Sequence, residues 1–211
     1  MNETLLNDRD YTVIIAKTTV DSGTKPPGFA ERWIAAQAAV LKLIQVCEAF
    51  DPDGITVYVS CRSPQADCIF KKYEQVKSAN LEQVIEAGYP PGNINLLEVL
   101  QTELEDYFAR KAAGQTKANG EMIVVLLDGE PSDRMAVANA IKAATYKMDV
   151  DQELGIGFVQ IGEDLIAKGY LTALDDNLQA AGAKFDIVHT ALLGAIEPDA
   201  LTAFLMQVLQ G

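Results

Sequence analysis

A doubly wound, mainly parallel α/β fold is predicted by three features of this sequence. Strand-like apolar runs alternate with helix-period segments from end to end, the pattern of a parallel sheet joined by crossover helices. The run Val124–Leu127 is continuously apolar, as expected of a strand covered by helices on both faces. The chain has 211 residues and 49% apolar side chains, enough for one sizeable core and too few for a second independent one. Residues 1–10 read as an N-terminal extension and 11–211 as a single domain.

Strands are expected at about 11–17, 55–61, 69–76, 122–128, 154–161 and 185–189. Between the first two, Trp33, Ala36, Val40, Leu43, Ile44 and Cys47 form one stripe at three-and-four spacing, which predicts a helix over Phe29–Phe50. Segment 69–76 is polar and carries Lys71 and Lys72, so it reads as an exposed antiparallel edge strand whose charges discourage edge-to-edge pairing. A short helix is expected over Ala79–Glu86. Leu96, Leu100, Leu104 and Phe108 mark a longer one, followed by a flexible connection over Ala112–Gly120. Val137, Ile141, Ala144 and Met148 align within Asp133–Met148, where Ser132 or Asp133 can cap the helix start. Leu171, Leu174, Leu178 and Ala181 define the next helix, and Leu201, Phe204, Leu205 and Val208 the last.

Composition narrows the function classes. A formal net charge of −13 is spread along the chain, and no basic patch offers a footprint for nucleic acid. No apolar run approaches the roughly 20 residues of a membrane span, and Met1–Asp10 lacks the basic and apolar parts of a secretory signal, so cytoplasmic residence is expected. Cys47, Cys61 and Cys68 form no Cys-x-x-Cys metal pair, and reduced thiols are the expectation for such a compartment. Gly155-Ile-Gly157 does not complete a dinucleotide fingerprint, because Gln160 stands at the third glycine position. Neither a P-loop nor a Gly-x-Ser-x-Gly nucleophile elbow is present. His189 is the sole histidine, expected at the end of the last strand on the same rim as Asp128; without spare partners it is a poor candidate for acid–base catalysis.

Ligands of such sheets collect beyond the carboxyl ends of the strands, so the rim loops carry the functional reading. The first strand runs Tyr11-Thr-Val-Ile-Ile15 into Ala16-Lys17-Thr18-Thr19-Val20, and the fourth runs Met122–Leu127 into Asp128-Gly129-Glu130-Pro131-Ser132-Asp133. With Ile156–Gly162, Leu174-Asp175-Asp176 and Ala183–Val188, these stretches resemble the von Willebrand factor A (VWA) domain family. The last resembles its intracellular bacterial branch, which includes tellurium-resistance-type proteins. The resemblance implies a six-stranded sheet ordered 3-2-1-4-5-6, with the third strand an antiparallel edge and helices on both faces.

In that family two serines, a threonine and two aspartates form a metal-ion-dependent adhesion site. Carried over residue by residue, the resemblance gives a degenerate site. Ala16, Val20 and Ile94 stand where an aspartate, a serine and a threonine belong; Thr18 and Asp128 keep oxygen donors. One carboxylate and one hydroxyl hold magnesium or calcium weakly at best, so no cofactor is expected. Asp21, Ser22, Asn93 and Asn95 lie in the same loops and, with Thr18, Asp128 and Glu130, form the candidate binding rim. The expected function is a non-catalytic adaptor or scaffold that binds a protein partner at this rim. Three alternatives stand beside it: a metal-dependent adhesion module with shifted ligands Thr18, Asp21 and Asp128; a self-assembling subunit using 69–76; and, last, an enzyme using Asp128 and His189.

Overall fold

The structure is a computed structural model that describes residues 3–18, 28–85, 89–196 and 200–210. One six-stranded sheet runs through it, in the order β3-β2-β1-β4-β5-β6. The strands are β1 (Asp10–Ala16), β2 (Ile55–Cys61), β3 (Ile69–Val76), β4 (Glu121–Leu127), β5 (Leu154–Gln160) and β6 (Val188–Leu192). All neighbours pair in parallel except β2 with β3, which are antiparallel. The order and the lone antiparallel edge are those expected.

Alternation along each strand builds two cores. Val13 and Ile15 of β1, with Val124 and Leu126 of β4, join the helices α1 (Gly28–Phe50), α2 (Leu81–Ile85) and α6 (Leu201–Val208) on one face. Ile14 and Ala16, with Ile123, Val125 and Leu127, join α3 (Leu97–Ala112), α4 (Arg134–Thr145) and α5 (Leu165–Asn177) on the other. Every residue of β4 is buried, as a central strand between two helical layers must be. On β3 only Val76 is buried, while Lys71 and Lys72 face solvent.

Gly155 and Gly157 serve packing. A Cβ on Gly157 would stand 2.9 Å from both Phe204 and Val208, so the missing side chains let α6 lie close on β5. Residues before β1 are built into the core: Leu6 is buried and Arg9 is 0% exposed. Its guanidinium donates to the carbonyls of Leu5, Glu121 and Gln152.

Beneath the sheet, at the amino ends of its strands, lies a buried polar group. The Thr12 hydroxyl stands 2.9 Å from Glu103 Oε1 and 3.1 Å from Glu121 Oε1. Tyr58 donates to Glu103 Oε2 at 2.6 Å, and Arg110 pairs with Glu121, Asp10 and Asp106. Burial, then the nearby Glu103 carboxylate, raises the Glu121 pKa well above the ordinary value, against the pull of Arg110.

The last strand departs from the sequence expectation. It begins at Val188 instead of 185, because the chain bends at Lys184 and Phe185 and meets β5 only from the Ile187 carbonyl, which accepts the Ile156 N–H at 2.7 Å; the register starts at Ile156↔Val188.

Candidate functional site

The carboxyl ends of β1 and β4 are neighbours, with Ala16 paired to Leu127, so Thr18 and Asp128 emerge side by side. Both are buried, at 3% and 4% exposure. The Asp128 carboxylate accepts the Thr18 backbone N–H at 3.2 Å on Oδ2 and the Thr18 hydroxyl at 3.0 Å on Oδ1. A third donor arrives from the far layer: the indole N–H of Trp33, on α1, reaches Oδ2 at 3.0 Å. Hydrogen bonds to an ionised carboxylate are stronger than neutral ones, and three of them tie β1, α1 and β4 at one point.

Two of the positions where the family carries oxygen donors are apolar here. Ala16 is fully buried and Ile94 is 2% exposed, and both belong to the cluster that holds α3 and α4. The loop after β4 also fixes the approach to α3. Ser132 donates its N–H and its hydroxyl to the Ile94 carbonyl, each at 2.9 Å. Asp133 accepts the Leu96 N–H at 3.2 Å and the Leu97 N–H at 2.6 Å. Ser132 and Asp133 were expected to cap their own helix; the Asp133 side chain instead caps α3. Rim loops from different strands are thus hydrogen-bonded to one another.

The remaining candidates do not converge on Asp128. Asn93 is exposed. Asn95 lines a 130 Å³ cleft between β3 and α3 with Tyr58, Cys68, Phe70 and Val99. Glu130 turns to Arg134, at 3.0 Å. Asp21 and Ser22, and Val20 beside them, lie outside the described residues. Two rim segments are rich in proline, Thr24–Gly28 and Tyr89–Gly92: most of the first lies outside the described residues, and in the second Tyr89 is 67% exposed next to buried Pro90 and Pro91, with Arg62 5.5 Å from its ring centre.

His189 is not at this rim. It is the second residue of β6 and pairs with Gly157, whereas the rim begins beyond Leu127, Gln160 and Leu192. Three residues of strand, about 10 Å, lie between. Its Nδ1 is 3.6 Å from Asp175 Oδ2 and its ring 5.9 Å from that of Phe204, so Asp128 and His189 form no common site. The sequence places Trp33 on the apolar stripe of α1, and its indole N–H serves the site as well; the sole tryptophan of the chain, on a helix entering the rim, is the available signal.

Among the described residues, no group of three or more His, Cys, Asp or Glu is placed to hold a metal ion, and no helix is long and apolar enough to cross a membrane.

Sheet order and the lone antiparallel edge define a VWA-like α/β fold. Solved structures agree. A von Willebrand factor type A protein from Catenulispora acidiphila superposes with a TM-score of 0.50 at 14% identity, over 95% of this chain and 42% of that one. Proximal thread matrix protein 1 from the mussel byssus gives 0.50 at 15% identity, over 96% of this chain and 47% of its own. The chain therefore spans less than half the length of either neighbour. No protein-family model matches the sequence, and no curated protein matches it.

Proposed function

We propose that this chain is a non-catalytic protein-interaction module of VWA type, an adaptor or scaffold that binds a protein partner at the rim around Asp128 without an obligatory metal ion. The observation that carries this reading is the state of Asp128. Its carboxylate accepts hydrogen bonds from Thr18 and Trp33, and Ala16 and Ile94 are buried in the apolar core and offer no side-chain oxygen. A magnesium ion asks for near-octahedral oxygen ligands, and calcium for six or more. The described donors are a poor fit: the Asp128 carboxylate is engaged by N–H and O–H groups, and a cation would have to displace them. Recognition then rests on the shape and polarity of the rim, with exposed Tyr89, preceding Pro90 and Pro91, as one contact. Cytoplasmic residence and kinship with the intracellular bacterial branch belong to the same proposal.

The test is thermal unfolding with and without millimolar magnesium or calcium, together with partner recovery in the presence and absence of chelator. The reading requires an unchanged melting temperature, since a bound ion would raise it by mass action, and partner recovery indifferent to chelator. A saturable rise in melting temperature overturns it in favour of the metal-dependent alternative.

A further inference from the structure

We propose that the open edge of β3 pairs with β3 of a second copy of this chain, in one antiparallel register centred on Tyr73. The two edges of the sheet differ. At β6 the Asp175 carboxylate accepts the Thr190 N–H and the Thr190 hydroxyl at 2.9 Å each, which closes that edge. Among the described residues no side chain does the same for β3, and its one strand neighbour is β2. Lys71, Lys72 and Glu74 are exposed along it. The free N–H and C=O groups of such an edge are a template for another strand.

Charge decides the register. In a continuous sheet made by a two-fold axis, directly opposed side chains share a face, so the axis passes through a residue. An axis at Lys71, Lys72 or Glu74 sets that charge against its own copy, which is destabilising. An axis at Ile69 or Phe70 sets both lysines against residues at or before the strand start and gains no charge pair along the strand. With the axis at Tyr73, each Lys72 stands opposite the Glu74 of the other copy, and the two tyrosines face each other. Lys72 and Glu74 already meet at 3.0 Å within one strand, so the pairing builds a ladder of alternating sign. Lysines that discourage edge pairing in general thus leave one register standing. Beyond Glu74 the strand bulges: Gln75 has a φ of 53°, and the register with β2 shifts between Ile55 and Val57. The paired stretch is therefore short, and the dimer is one that dissociates on dilution.

The same pattern selects the occupant. A uniformly acidic strand meets Glu74 and a uniformly basic one meets the lysines, whereas a second copy answers both signs. The acidic surplus of the chain does not sit here, since residues 69–77 carry three lysines against one glutamate. Charges farther off than about 10 Å are largely screened at physiological salt. Antiparallel pairing turns the rims of the two copies to opposite ends of the joint sheet. Combined with the rim-binding reading above, the dimer links two partners; the pairing itself does not depend on that reading.

Sedimentation equilibrium of the full chain over rising concentration tests this. The wild type should pass from monomer to dimer. Lys72→Glu or Glu74→Lys alone sets like charges across the axis twice and should raise the dissociation constant about tenfold or more. The two substitutions together restore opposite pairs and should return it to within about threefold of wild type. Cross-linking gives a readout that does not need the charge variants. In a Cys68→Ser background, Tyr73→Cys should join two copies through a disulfide on mild oxidation, and Lys71→Cys should not. A wild type still monomeric at about 1 mM overturns the proposal. So does a dimer indifferent to both single substitutions, a folded double variant that stays monomeric, or cross-linking at Lys71→Cys in place of Tyr73→Cys.

Discussion

Glu103 and Glu121 meet across the hydroxyl of Thr12, which stands 2.9 Å from one carboxyl and 3.1 Å from the other. A hydroxyl has one proton to give, and Glu103 also accepts from Tyr58. Two ionised carboxylates in this buried place would repel, so burial and the Glu103 charge make Glu121 take up a proton at higher pH than a free carboxyl does.

That proton makes stability depend on pH. The folded-state pKa of Glu121 is raised above the ordinary value of 4.5, so its contribution is complete below 4.5 and is lost as pH rises through the folded value. Urea unfolding at pH values rising from 4.5 should show this contribution to stability falling. Glu103→Gln replaces the shared proton with an amide N–H while keeping an acceptor for Tyr58. It should flatten that slope at a cost of about 1 kcal/mol. An unchanged slope in the variant would show that the pair does not hold the proton.

Asp128→Ala should cost about 3 kcal/mol, because it strands the Thr18 and Trp33 donors in a buried setting. Trp33 is the only tryptophan, so its fluorescence should shift in the folded variant and report the lost indole hydrogen bond directly. Denaturant unfolding with that emission as probe checks both. Wild-type stability and emission together would remove Asp128 from its structural role.

Asp133→Ala should destabilise by about 1–2 kcal/mol through α3, the helix it caps from a neighbouring loop. Amide exchange should locate the loosening at the start of Leu97–Ala112 and not at Arg134–Thr145. Loosening confined to the latter would contradict the observed cap.

Gly157→Ala should cost about 1–3 kcal/mol, since the added methyl would stand 2.9 Å from Phe204 and Val208 and push α6 from β5. Pairing it with Phe204→Leu should recover part of the loss, a coupling readable in a double-mutant cycle.

Rebuilding the family's ligand set by Ala16→Asp, Val20→Ser and Ile94→Thr should give a protein whose melting temperature rises saturably with magnesium, unlike the parent. Binding by the parent and the variant alike would refute the residue-by-residue correspondence on which the degenerate site rests.

Much of this fold was readable from periodicity. β3 stands where its lysine-bearing polar run placed it, and the sheet order follows the family resemblance carried by the β1 and β4 ends. What was not readable depended on contacts between distant residues. The start of β6 is set by a bend at Lys184 and Phe185 that interrupts a run of strand character, and the error carried His189 to the wrong height. At the site, Thr18 and Asp128 were identifiable from the strand ends, but nothing local says that a tryptophan 95 positions away completes the arrangement. The Asp133 carboxylate likewise had a plausible local use and serves a neighbour instead.

The cross-links from Ser132 and Asp133 to residues 94–97 have a thermodynamic consequence for whatever lands above them. Two loops that already share hydrogen bonds have little conformational freedom left to surrender. Complex formation over that sector then proceeds as the meeting of a finished surface, and its heat-capacity change should match the apolar area covered without an added folding increment.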